Sequence, residues 1–137
     1  MDFLHLKIIT PKKIVREEDI KSATIPTVDG EITILPLHEN LFSLLKEGIV
    51  KIKKNDSEEF MAIGGGYAET DGENLTILVS LAYHQHEINE SMIAKATENA
   101  KKILDTSSDE AEKAEAMSML RRVVIDSKLL KKRKRSL

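Results

Sequence analysis

The sequence predicts a mainly β protein with an α-helical part: an antiparallel β-sandwich of about ten short strands over residues 1–84, followed by a two-helix hairpin over residues 85–137. Short apolar runs separated by turn residues every eight to twelve positions fill the first 80 residues, as in sandwiches and barrels. The spacing of apolar residues then changes to three or four, which is typical of helices. No helical pattern interrupts the early runs, which disfavours a parallel α/β sheet.

Composition fits one domain, or a small domain with an appendage, because the chain has 137 residues. A hydrophobic share of 41% and a charged share of 32% are ordinary for a soluble protein, and no apolar run approaches the roughly 18 residues of a membrane span. The N-terminus lacks a basic segment followed by an apolar one, so we expect no signal peptide. The absence of cysteine excludes disulfides and thiolate metal sites and fits a reducing compartment.

Charge is distributed unevenly along the chain, whose formal net charge is −2. Residues 1–86 carry 9 basic and 14 acidic residues, a net of −5, whereas residues 87–137 carry 12 basic and 9 acidic ones, a net of +3. From Ala116 onward there are eight basic residues and one acidic residue, Asp126. A segment this basic favours an acidic partner, whether a protein, a nucleic acid or a lipid headgroup.

The first strand is predicted where Leu4, Leu6 and Ile8 alternate with other residues, because a period of two places one side of a strand in a core. Thr10-Pro11 ends this strand. Further apolar or alternating runs predict the strands that follow, which lie at Ile14–Val15, Ile20–Pro26, Ile32–Ile34, Leu41–Leu45, Ile49–Lys53, Phe60–Ile63, Tyr67–Glu69 and Leu75–Val79.

Two turns frame the predicted strand at 32–34. Asp29-Gly30 is a turn dipeptide, because glycine accepts a positive φ and the aspartate can bond its own backbone. Pro36 cannot donate to a sheet, so the chain is expected to leave the sheet there and to form an exposed polar tip over residues 37–40. The histidine and the glutamate on this tip are placed for a partner.

The first helix is predicted from apolar residues three or four positions apart, which are Met92, Ala96, Ala100 and Ile103. Asn89 or Glu87 is placed to cap the start of this helix. The polar residues 106–109 end it after about four turns.

The second helix is predicted to begin at a capping box formed by Ser107 and Glu110. Its apolar face comprises Ala116, Leu120, Val123 and Leu130. Because a loop of about four residues joins the two helices, we expect an antiparallel hairpin. Beside the apolar face, a basic strip follows helical spacing and comprises Arg121, Lys128, Lys132 and Arg135.

Few residues suggest catalysis or ligand binding. Gly64-Gly65-Gly66 lacks the Lys-Ser/Thr and the helix that follow in a phosphate loop, and we interpret it as a sheet corner or a close approach of backbones. His84 and His86 share a face if extended, but no third metal ligand has a recognisable spacing, so we expect a solvated pair in a polar linker. No nucleophile, acid–base pair or cofactor motif stands out, and we expect a protein that is not an enzyme.

The basic tail at residues 131–135 has three interpretations. It can bind nucleic acid, although all three Phe and both Tyr precede residue 84 and so provide no aromatic platform near it. It can fray in solvent, as chain ends commonly do. It can dock on an acidic protein surface, which the strip extending back to Arg121 favours.

Four segments, in this order, resemble one known family. They are Leu6-Lys7-Ile8-Ile9-Thr10-Pro11, the run Gly30-Glu31-Ile32-Thr33-Ile34-Leu35-Pro36-Leu37-His38, the run Leu44-Leu45-Lys46-Glu47-Gly48-Ile49-Val50-Lys51-Ile52, and Gly64-Gly65-Gly66-Tyr67-Ala68-Glu69. Together they resemble the epsilon subunit of bacterial F-type ATP synthases, over nearly the whole chain. In that family the subunit is not catalytic: it belongs to the central stalk, binds the gamma subunit, seats on the ring of c subunits, and can extend its helices to restrain ATP hydrolysis.

The resemblance places Glu31 and His38 at the end of the sandwich that contacts the polar loops of the c-ring. The family usually has Gly-His-Ala-Pro around that histidine, whereas this chain has Leu37-His38-Glu39-Asn40. In the second helix, the family uses basic residues to approach an acidic segment of the catalytic beta subunit. The residues that match here are Arg121, Arg122 and Lys128.

Many bacterial members open the first helix with Ile/Leu-Asp-x-x-Arg-Ala, which binds regulatory ATP in some of them. The matching stretch begins at Ile88 but has Asn89 in place of the aspartate and Met92 in place of the arginine. Without the guanidinium, a bidentate contact to an anion is lost, so we expect no bound cofactor and weak or absent ATP binding.

The partners implied by the resemblance are the gamma subunit, the c-subunit ring and, through the helices, the alpha/beta hexamer, with no nucleic acid. The implied location is peripheral, on the cytoplasmic face of the plasma (inner) membrane. The alternative function is that of a small β-sandwich module that binds nucleic acid or an acidic protein through the basic tail at 131–135.

Overall fold

The computed structural model describes residues 3–136, except for the side chains of His86 and of residues 133–136. The described chain forms ten strands, one turn of 3-10 helix and two α-helices, which confirms the predicted β-sandwich followed by two helices. The strands are β1 (Leu4–Ile9), β2 (Ile14–Ile20), β3 (Ser22–Thr27), β4 (Gly30–Ile34), β5 (Leu41–Leu45), β6 (Gly48–Lys53), β7 (Glu58–Ile63), β8 (Gly66–Thr70), β9 (Asn74–Val79) and β10 (Ala82–His84). The 3-10 turn is Gln85–Glu87, and the helices are α1 (Glu90–Thr106) and α2 (Glu110–Ser136).

The chain divides into two compact units, with the boundary in the sequence between His84 and Gln85. In the first unit the strands follow one hydrogen-bonded path, β10-β7-β6-β3-β5-β8-β9-β1-β2, and β4 also pairs with β3. A single register pair, Thr27 with Leu45, joins β3 to β5 within the described residues. The path therefore bends there into two five-stranded layers, β2-β1-β9-β8-β5 and β4-β3-β6-β7-β10, which can bury one face each.

One strand pairing departs from the antiparallel prediction. β1 runs parallel to β9, with Leu6 opposite Leu75 and Ile8 opposite Ile77. A tight hairpin makes sequential strands antiparallel, but seven strands separate β1 from β9 along the chain, so no hairpin fixes their relative direction.

The core lies between the layers, because alternate residues of each strand point inward. In β1, Leu4, Leu6 and Ile8 are fully buried while His5 and Lys7 are partly exposed, as the alternation predicts. The other members of the buried cluster come from the remaining strands and are Ile20, Ala23, Ile25, Ile34, Leu45, Val50, Ile52, Met61, Ile63, Ala68, Leu75, Ile77 and Val79.

The glycines at 64–66 mark a close approach of backbones. A Cβ atom on Gly66, the first residue of β8, would lie 1.9 Å from the carbonyl oxygen of Leu78 in β9. A Cβ atom on Gly64 would lie 2.2 Å from the hydroxyl oxygen of Ser80. Side chains do not fit here, and the segment leads into a strand rather than into the helix that a phosphate loop requires.

Five charged or titratable residues close one side of the sandwich, where β2 approaches β7 and β10. Lys54 Nζ lies 2.6 Å from Glu18 and 2.7 Å from Glu59, and Arg16 Nη2 lies 2.6 Å from Glu59. Arg16 also bonds Glu18 through Nε, and His84 Nε2 lies 3.0 Å from Glu59. We call these five residues the edge cluster. Inward-pointing charges of this kind protect sheet edges from pairing with other chains.

The expectation of a solvated His84 in a polar linker is wrong. His84 ends β10, where it lies opposite Met61 of β7, and its side chain is mostly buried against the edge cluster. A three-residue strand has too little periodicity to be visible in a sequence, and only its pairing with β7 creates it. The side chain of His86, the other member of the predicted pair, lies outside the described ones.

In the second unit, α1 begins where the sequence predicts. Asn89 is its N-cap, and its side-chain oxygen accepts a hydrogen bond from the Met92 N–H at 2.9 Å. The predicted buried face is wrong at Met92, whose side chain is 55% exposed. The inward face instead includes Ile93 and Thr97, which are half-buried, and Ala100, which is fully buried.

The predicted capping box of α2 is also wrong. Asp109 caps the helix, because its carboxylate accepts a hydrogen bond from the Ala111 N–H at 2.9 Å. Ser107 accepts one from the Asp109 N–H at 3.1 Å and donates one to Glu112 at 2.6 Å. Since α2 begins at Glu110, the residue directly before it is the one positioned to bond the first free N–H groups.

α1 and α2 pack against each other. The predicted face of α2 is confirmed at Ala116 and Leu130, which are buried, and at Leu120 and Val123, which are half-buried. Leu129 is fully buried as well, although it lies outside that predicted stripe.

Candidate functional site

The tip predicted at residues 37–40 is built on a tight turn. The His38 N–H donates to the Leu35 carbonyl oxygen at 3.2 Å, which closes the turn over Pro36 and Leu37. Leu37 has a φ of 67°, in the left-handed region that glycine adopts more easily. Proline followed by a residue with positive φ is the pattern of a type II turn, so the sequence places a bulky residue where this turn favours glycine.

The turn between β8 and β9 supports the tip. The Leu37 N–H donates to the Gly72 carbonyl oxygen at 2.7 Å. Gly72 has a φ of 95°, and a Cβ atom on it would lie 3.0 Å from the His38 carbonyl oxygen. The tip is therefore held by a second turn 35 residues away in sequence. The Asp71-Gly72 dipeptide predicts that second turn, but nothing in the sequence predicts that it meets the tip.

His38 uses one of its two ring nitrogens for a hydrogen bond within the tip. Its Nδ1 lies 2.7 Å from the Glu39 carbonyl oxygen, and because a carbonyl only accepts hydrogen bonds, Nδ1 carries the proton. With Nδ1 donating to Glu39, Nε2 is the ring nitrogen that remains for a partner. The side chain is half-buried, which fits a residue that is both supported and accessible.

Glu31 lies on the neighbouring edge strand. It occupies β4, opposite Pro26 of β3, and its side chain is exposed. On the same side of this hairpin the Thr24 and Thr33 hydroxyl oxygens are 2.9 Å apart. Strand β4 leads directly into the tip, so the fold places Glu31 and His38 at consecutive parts of one polar surface.

Two exposed leucines flank the tip and extend this surface. Leu35 and Leu37 are 55% and 69% exposed. In the sequence both residues are only parts of the motif at residues 30–38, which gives no sign of their exposure. Leucines in a turn beside glutamate and histidine indicate a mixed apolar and polar contact surface.

The second group of candidates lies on α2. The side chains of Arg121, Arg122 and Lys128 are exposed. Arg121 and Lys128 are seven residues apart and share a face of the helix. Lys132 of the predicted basic strip is half-buried, while the side chain of Arg135 lies outside the described ones. The side chains of most residues in the basic tail at 131–135 also lie outside the described ones.

The stretch at the start of α1 has taken a structural role. Ile88 is buried, and Asn89 uses its side chain to cap the helix. A nearby cavity of about 290 Å³ is lined by Glu90, Ile93, Ala94, Ser127, Leu130 and Lys131. This lining contains one carboxylate and one ammonium group and no guanidinium, which is a poor set of groups for a polyanion.

Two further properties bear on the classes of function. In the part of the chain that the structure describes, no group of three or more His, Asp or Glu side chains is arranged to hold a metal ion. Within the same part, neither helix has the length and apolar character needed to span a membrane.

Comparison with known sequences connects the chain to one family. A family model described as ATP synthase, Delta/Epsilon chain, beta-sandwich domain matches residues 3–85. The ATP synthase epsilon chain of Campylobacter curvus (strain 525.92) is 38% identical over 111 residues, which cover 80% of this chain and 86% of that one. The one from Campylobacter concisus (strain 13826) is 36% identical over 126 residues, or 90% and 98% of the two chains. The chloroplastic epsilon chain from Marchantia polymorpha is 40% identical over 102 residues, which cover 74% of this chain and 76% of that one.

Solved structures agree with the sequence comparison. A chain in the Euglena gracilis mitochondrial ATP synthase, OSCP/F1/c-ring in rotational state 1, has a TM-score of 0.75 at 25% identity and covers 88% of this chain and 76% of that one. A chain in the Tetrahymena thermophila mitochondrial ATP synthase central stalk/c-ring has a TM-score of 0.64 at 17% identity. The match covers 91% of this chain and 94% of that one, and at this identity it supports the fold alone. The resemblance found in the sequence is thus confirmed. With its sandwich matched by the family model and most of its length matched by relatives, this chain belongs to the ATP synthase epsilon-chain family.

Proposed function

We propose that this chain is a non-catalytic central-stalk subunit of an F-type ATP synthase and couples the gamma subunit to the c-ring during rotation. The observation that carries the proposal is the alignment with epsilon chains, which reaches 90% of this chain and 98% of one relative. Such a subunit contributes contacts rather than bond chemistry. It works peripherally, on the cytoplasmic face of the plasma (inner) membrane.

The two compact units divide the work in this proposal. The sandwich, residues 1–84, contacts the gamma subunit and the c-ring, and the helical unit, residues 85–137, is regulatory. The division is supported by the core cluster, whose members all lie between Leu4 and Val79. A sandwich with its own core can transmit torque independently of a helical unit that changes its contacts.

Glu31 and His38 are the proposed contacts to the polar loops of the c-ring. The tip is held to the β8–β9 turn by the 2.7 Å hydrogen bond from Leu37 to Gly72, so it keeps its shape when a partner binds. An exposed carboxylate and an imidazole offer hydrogen bonds and charge rather than a large apolar area. A contact of this kind is wet and directional.

Cysteine crosslinking within the assembled enzyme tests this contact. The chain has no cysteine, so Glu31→Cys and His38→Cys each introduce one reactive thiol. We expect both to form disulfides with cysteines placed in the c-subunit loops. Lys12→Cys is the control. Lys12 is exposed and follows the end of β1 that lies away from the tip. Equal crosslinking of all three variants, or none at positions 31 and 38, would contradict the assignment.

The helices are proposed to restrain ATP hydrolysis, with Arg121, Arg122 and Lys128 approaching an acidic segment of the catalytic beta subunit. Their exposed positions on α2 support this, since charged side chains at a surface attract an oppositely charged partner. Truncation after Glu87 should raise ATPase activity and leave assembly intact. Lys128→Glu should raise it in part, while Lys101→Glu, an exposed lysine on α1, should not. Hydrolysis unchanged by truncation at every nucleotide and salt concentration would end the inhibitory hypothesis.

ATP binding to the helical unit is proposed to be weak or absent. Asn89 is occupied as a helix cap, Met92 carries no charge, and Glu90 adds a carboxylate to the nearby cavity. Isothermal titration of the isolated full-length chain should show no site in the micromolar range or tighter. A micromolar site would show that other residues replace the missing arginine.

A further inference from the structure

The tripeptide Asp-Gly-Glu occurs twice in the chain, as Asp29-Gly30-Glu31 and as Asp71-Gly72-Glu73. Both copies lie at turns, the first between β3 and β4 and the second between β8 and β9. An aspartate directly before a glycine is open to attack by the following backbone nitrogen on its side-chain carboxyl carbon, because glycine has no Cβ atom to hinder the approach. The shared tripeptide gives both aspartates this chemical tendency, so a difference between them comes from the fold.

The reaction changes the path of the backbone and leaves the composition unchanged. The glycine nitrogen bonds to the side-chain carboxyl carbon of the aspartate, and the carboxyl hydroxyl leaves with the proton of that nitrogen as water. A second water then opens the resulting five-membered succinimide ring. Opening at the main-chain carbonyl gives isoaspartate, in which the chain runs through the former side chain and is one carbon longer. Because one water is lost and one is gained, the mass of the protein stays the same.

The carboxylate of Asp71 is held by the turn that follows it. Its Oδ1 accepts hydrogen bonds from the Glu73 N–H at 2.9 Å and from the Asn74 N–H at 2.8 Å, and its Oδ2 accepts one from the Asn74 side-chain amide at 3.2 Å. The hydrogen bond from the Asn74 N–H, followed by that from the Glu73 N–H, lowers the pKa of Asp71 and so favours the ionised form. An ionised carboxylate that is held in place is a poor target for a nucleophile.

Gly72, which supplies the nitrogen in the second tripeptide, is held as well. Its N–H donates to the Thr70 hydroxyl oxygen at 3.1 Å. A Cβ atom on Gly72 would lie 3.0 Å from the His38 carbonyl oxygen and 3.4 Å from Leu37 Cα, so the tip covers this glycine closely. Both reacting groups are therefore engaged, and the nitrogen reaches the carboxyl carbon only after these hydrogen bonds break.

The first tripeptide lacks these restraints. Asp29 is exposed, and within the described chain no hydrogen bond or ion pair holds its carboxylate. Its backbone N–H donates to the Thr27 hydroxyl oxygen at 3.2 Å, which leaves the side chain unrestrained. A Cβ atom on Gly30 would meet no atom of the described chain within 4 Å, so the space beside this glycine is open. The carboxyl group is thus able to rotate toward the Gly30 nitrogen.

We propose that Asp29 is a site of spontaneous isoaspartate formation in the folded chain, and that the fold protects Asp71 in the identical tripeptide. The contrast between the two copies supports this: one carboxylate is unrestrained beside an open glycine, and the other is hydrogen-bonded beside a covered one. Exposure does not account for the difference, because both aspartates are exposed.

The modification falls at the start of β4. Thr27 lies opposite Gly30 across the turn, so one added backbone carbon between Asp29 and Gly30 lengthens the turn and disturbs the pairing of β4 with β3. Glu31 follows directly in β4. The effect on its contact with the c-ring rests on the proposed function, whereas the chemical step at Asp29 does not.

Ageing of the full-length chain at physiological temperature and pH tests the proposal. Proteolysis followed by electron-transfer mass spectrometry locates isoaspartate despite its unchanged mass. A second sample is kept in guanidinium chloride, where neither turn forms, and both are analysed once this sample shows isoaspartate at positions 29 and 71. In the folded chain we expect about tenfold more isoaspartate at position 29 than at position 71, because hydrogen bonds to a charged group must break at 71. In the denatured sample the two amounts should be similar.

Equal amounts at the two positions of the folded chain, more at position 71, or none at position 29 would each overturn the proposal. Asp29→Glu is the matched variant, since a glutamate has to close a larger and less favoured ring. It should remove the signal at position 29 and leave the amount at position 71 unchanged. Circular dichroism checks that this variant is folded.

A crosslinking experiment separates this inference from the proposed function. Ageing of Glu31→Cys before assembly should lower its crosslinking to cysteines in the c-subunit loops severalfold, and adding Asp29→Glu should prevent that loss. If fresh Glu31→Cys does not crosslink, the proposed contact fails, while the isoaspartate measurement still decides the present inference. Isoaspartate at position 29 without any loss of crosslinking would overturn the effect on Glu31.

Discussion

Leu37 shows how one residue adapts a turn to a sequence that does not favour it. A side chain at a φ of 67° brings Cβ close to the following carbonyl, which costs about 1–2 kcal/mol. The cost is tolerated because the Leu37 N–H bonds Gly72 and because His38 closes the turn. The chain therefore has an exposed leucine, beside a proposed contact, at a position where glycine would be less strained.

Leu37→Gly should stabilise the protein. The substitution removes the strain but increases the freedom of the unfolded chain, so the net gain in the free energy of unfolding is about 0.5–1 kcal/mol. Urea unfolding monitored by circular dichroism measures it. Leu35→Gly is the control, since Leu35 is similarly exposed but has no positive φ, and it should be neutral or destabilising. Equal effects at both positions would argue against strain at Leu37.

His5 is held as an imidazolium by two carboxylates. Nε2 lies 3.0 Å from Glu17 and Nδ1 lies 2.9 Å from Asp19, and because carboxylates only accept, both ring nitrogens carry protons. The hydrogen bond to Glu17, followed by that to Asp19, raises the pKa of His5 above its ordinary 6.5. Stability from this pairing is present in full below pH 6.5 and is lost as the pH rises through the higher folded pKa.

An NMR titration of the His5 ring protons should therefore show a midpoint above 6.5 in the folded protein. Glu17→Gln removes the strongest partner and should bring the midpoint down toward 6.5. A midpoint at or below 6.5 in the unaltered chain would mean that these two carboxylates do not hold the ring in solution.

Among the elements, the edge strands show how the sandwich is closed. β2 and β10 stand at the two ends of the strand path, and the edge cluster bonds β2 to β7 and β10. Burial raises the pKa of Glu59, but hydrogen bonds from Lys54, Arg16 and His84 outweigh it and lower that pKa to about 2. The pKa of Glu59 in the unfolded chain is 4.5, so at pH values above 4.5 the ionised Glu59 stabilises the folded state. This stabilisation is lost as the pH falls toward 2.

Glu59→Gln should lower the free energy of unfolding at pH 7 by about 1–3 kcal/mol, because it leaves partly buried cations without their acceptor. Urea unfolding at pH 7 and at pH 3 measures it, and the difference from the unaltered chain should shrink at pH 3. Glu58→Gln is the control on the same strand: Glu58 is exposed and contacts Lys51 at 3.5 Å, so its loss should matter by less than about 0.5 kcal/mol. Equal losses for both variants would contradict a special role for the cluster.

Periodicity predicts long elements well and their ends poorly. The sequence predicts α1, with Asn89 as one of two candidate caps, since seventeen residues contain several repeats of the apolar spacing. It misplaces the cap of α2, because Ser107 and Asp109 are equally good cap residues and only the point where the backbone becomes helical chooses between them.

For the whole molecule, the separation into two compact units predicts that the sandwich folds alone. Every member of the core cluster lies between Leu4 and Val79, and the edge cluster also lies within residues 1–84. A fragment of residues 1–84 should unfold in one cooperative transition and give a dispersed NMR spectrum. Its amide shifts should match those of the full chain for the inward residues of β1 and β9. A molten fragment would show that the helical unit is required for the core.

The sequence by itself determined most of the strands, both helices, the inward face of β1 and the family, because alternation, helical spacing and four short motifs are local properties of the chain. Tertiary structure decided which distant segments meet: the parallel β1–β9 pair, the support of the tip by Gly72, and the closing of the sandwich by the edge cluster. Each of these depends on strand register, which brings together residues far apart in sequence, and no local pattern encodes that pairing.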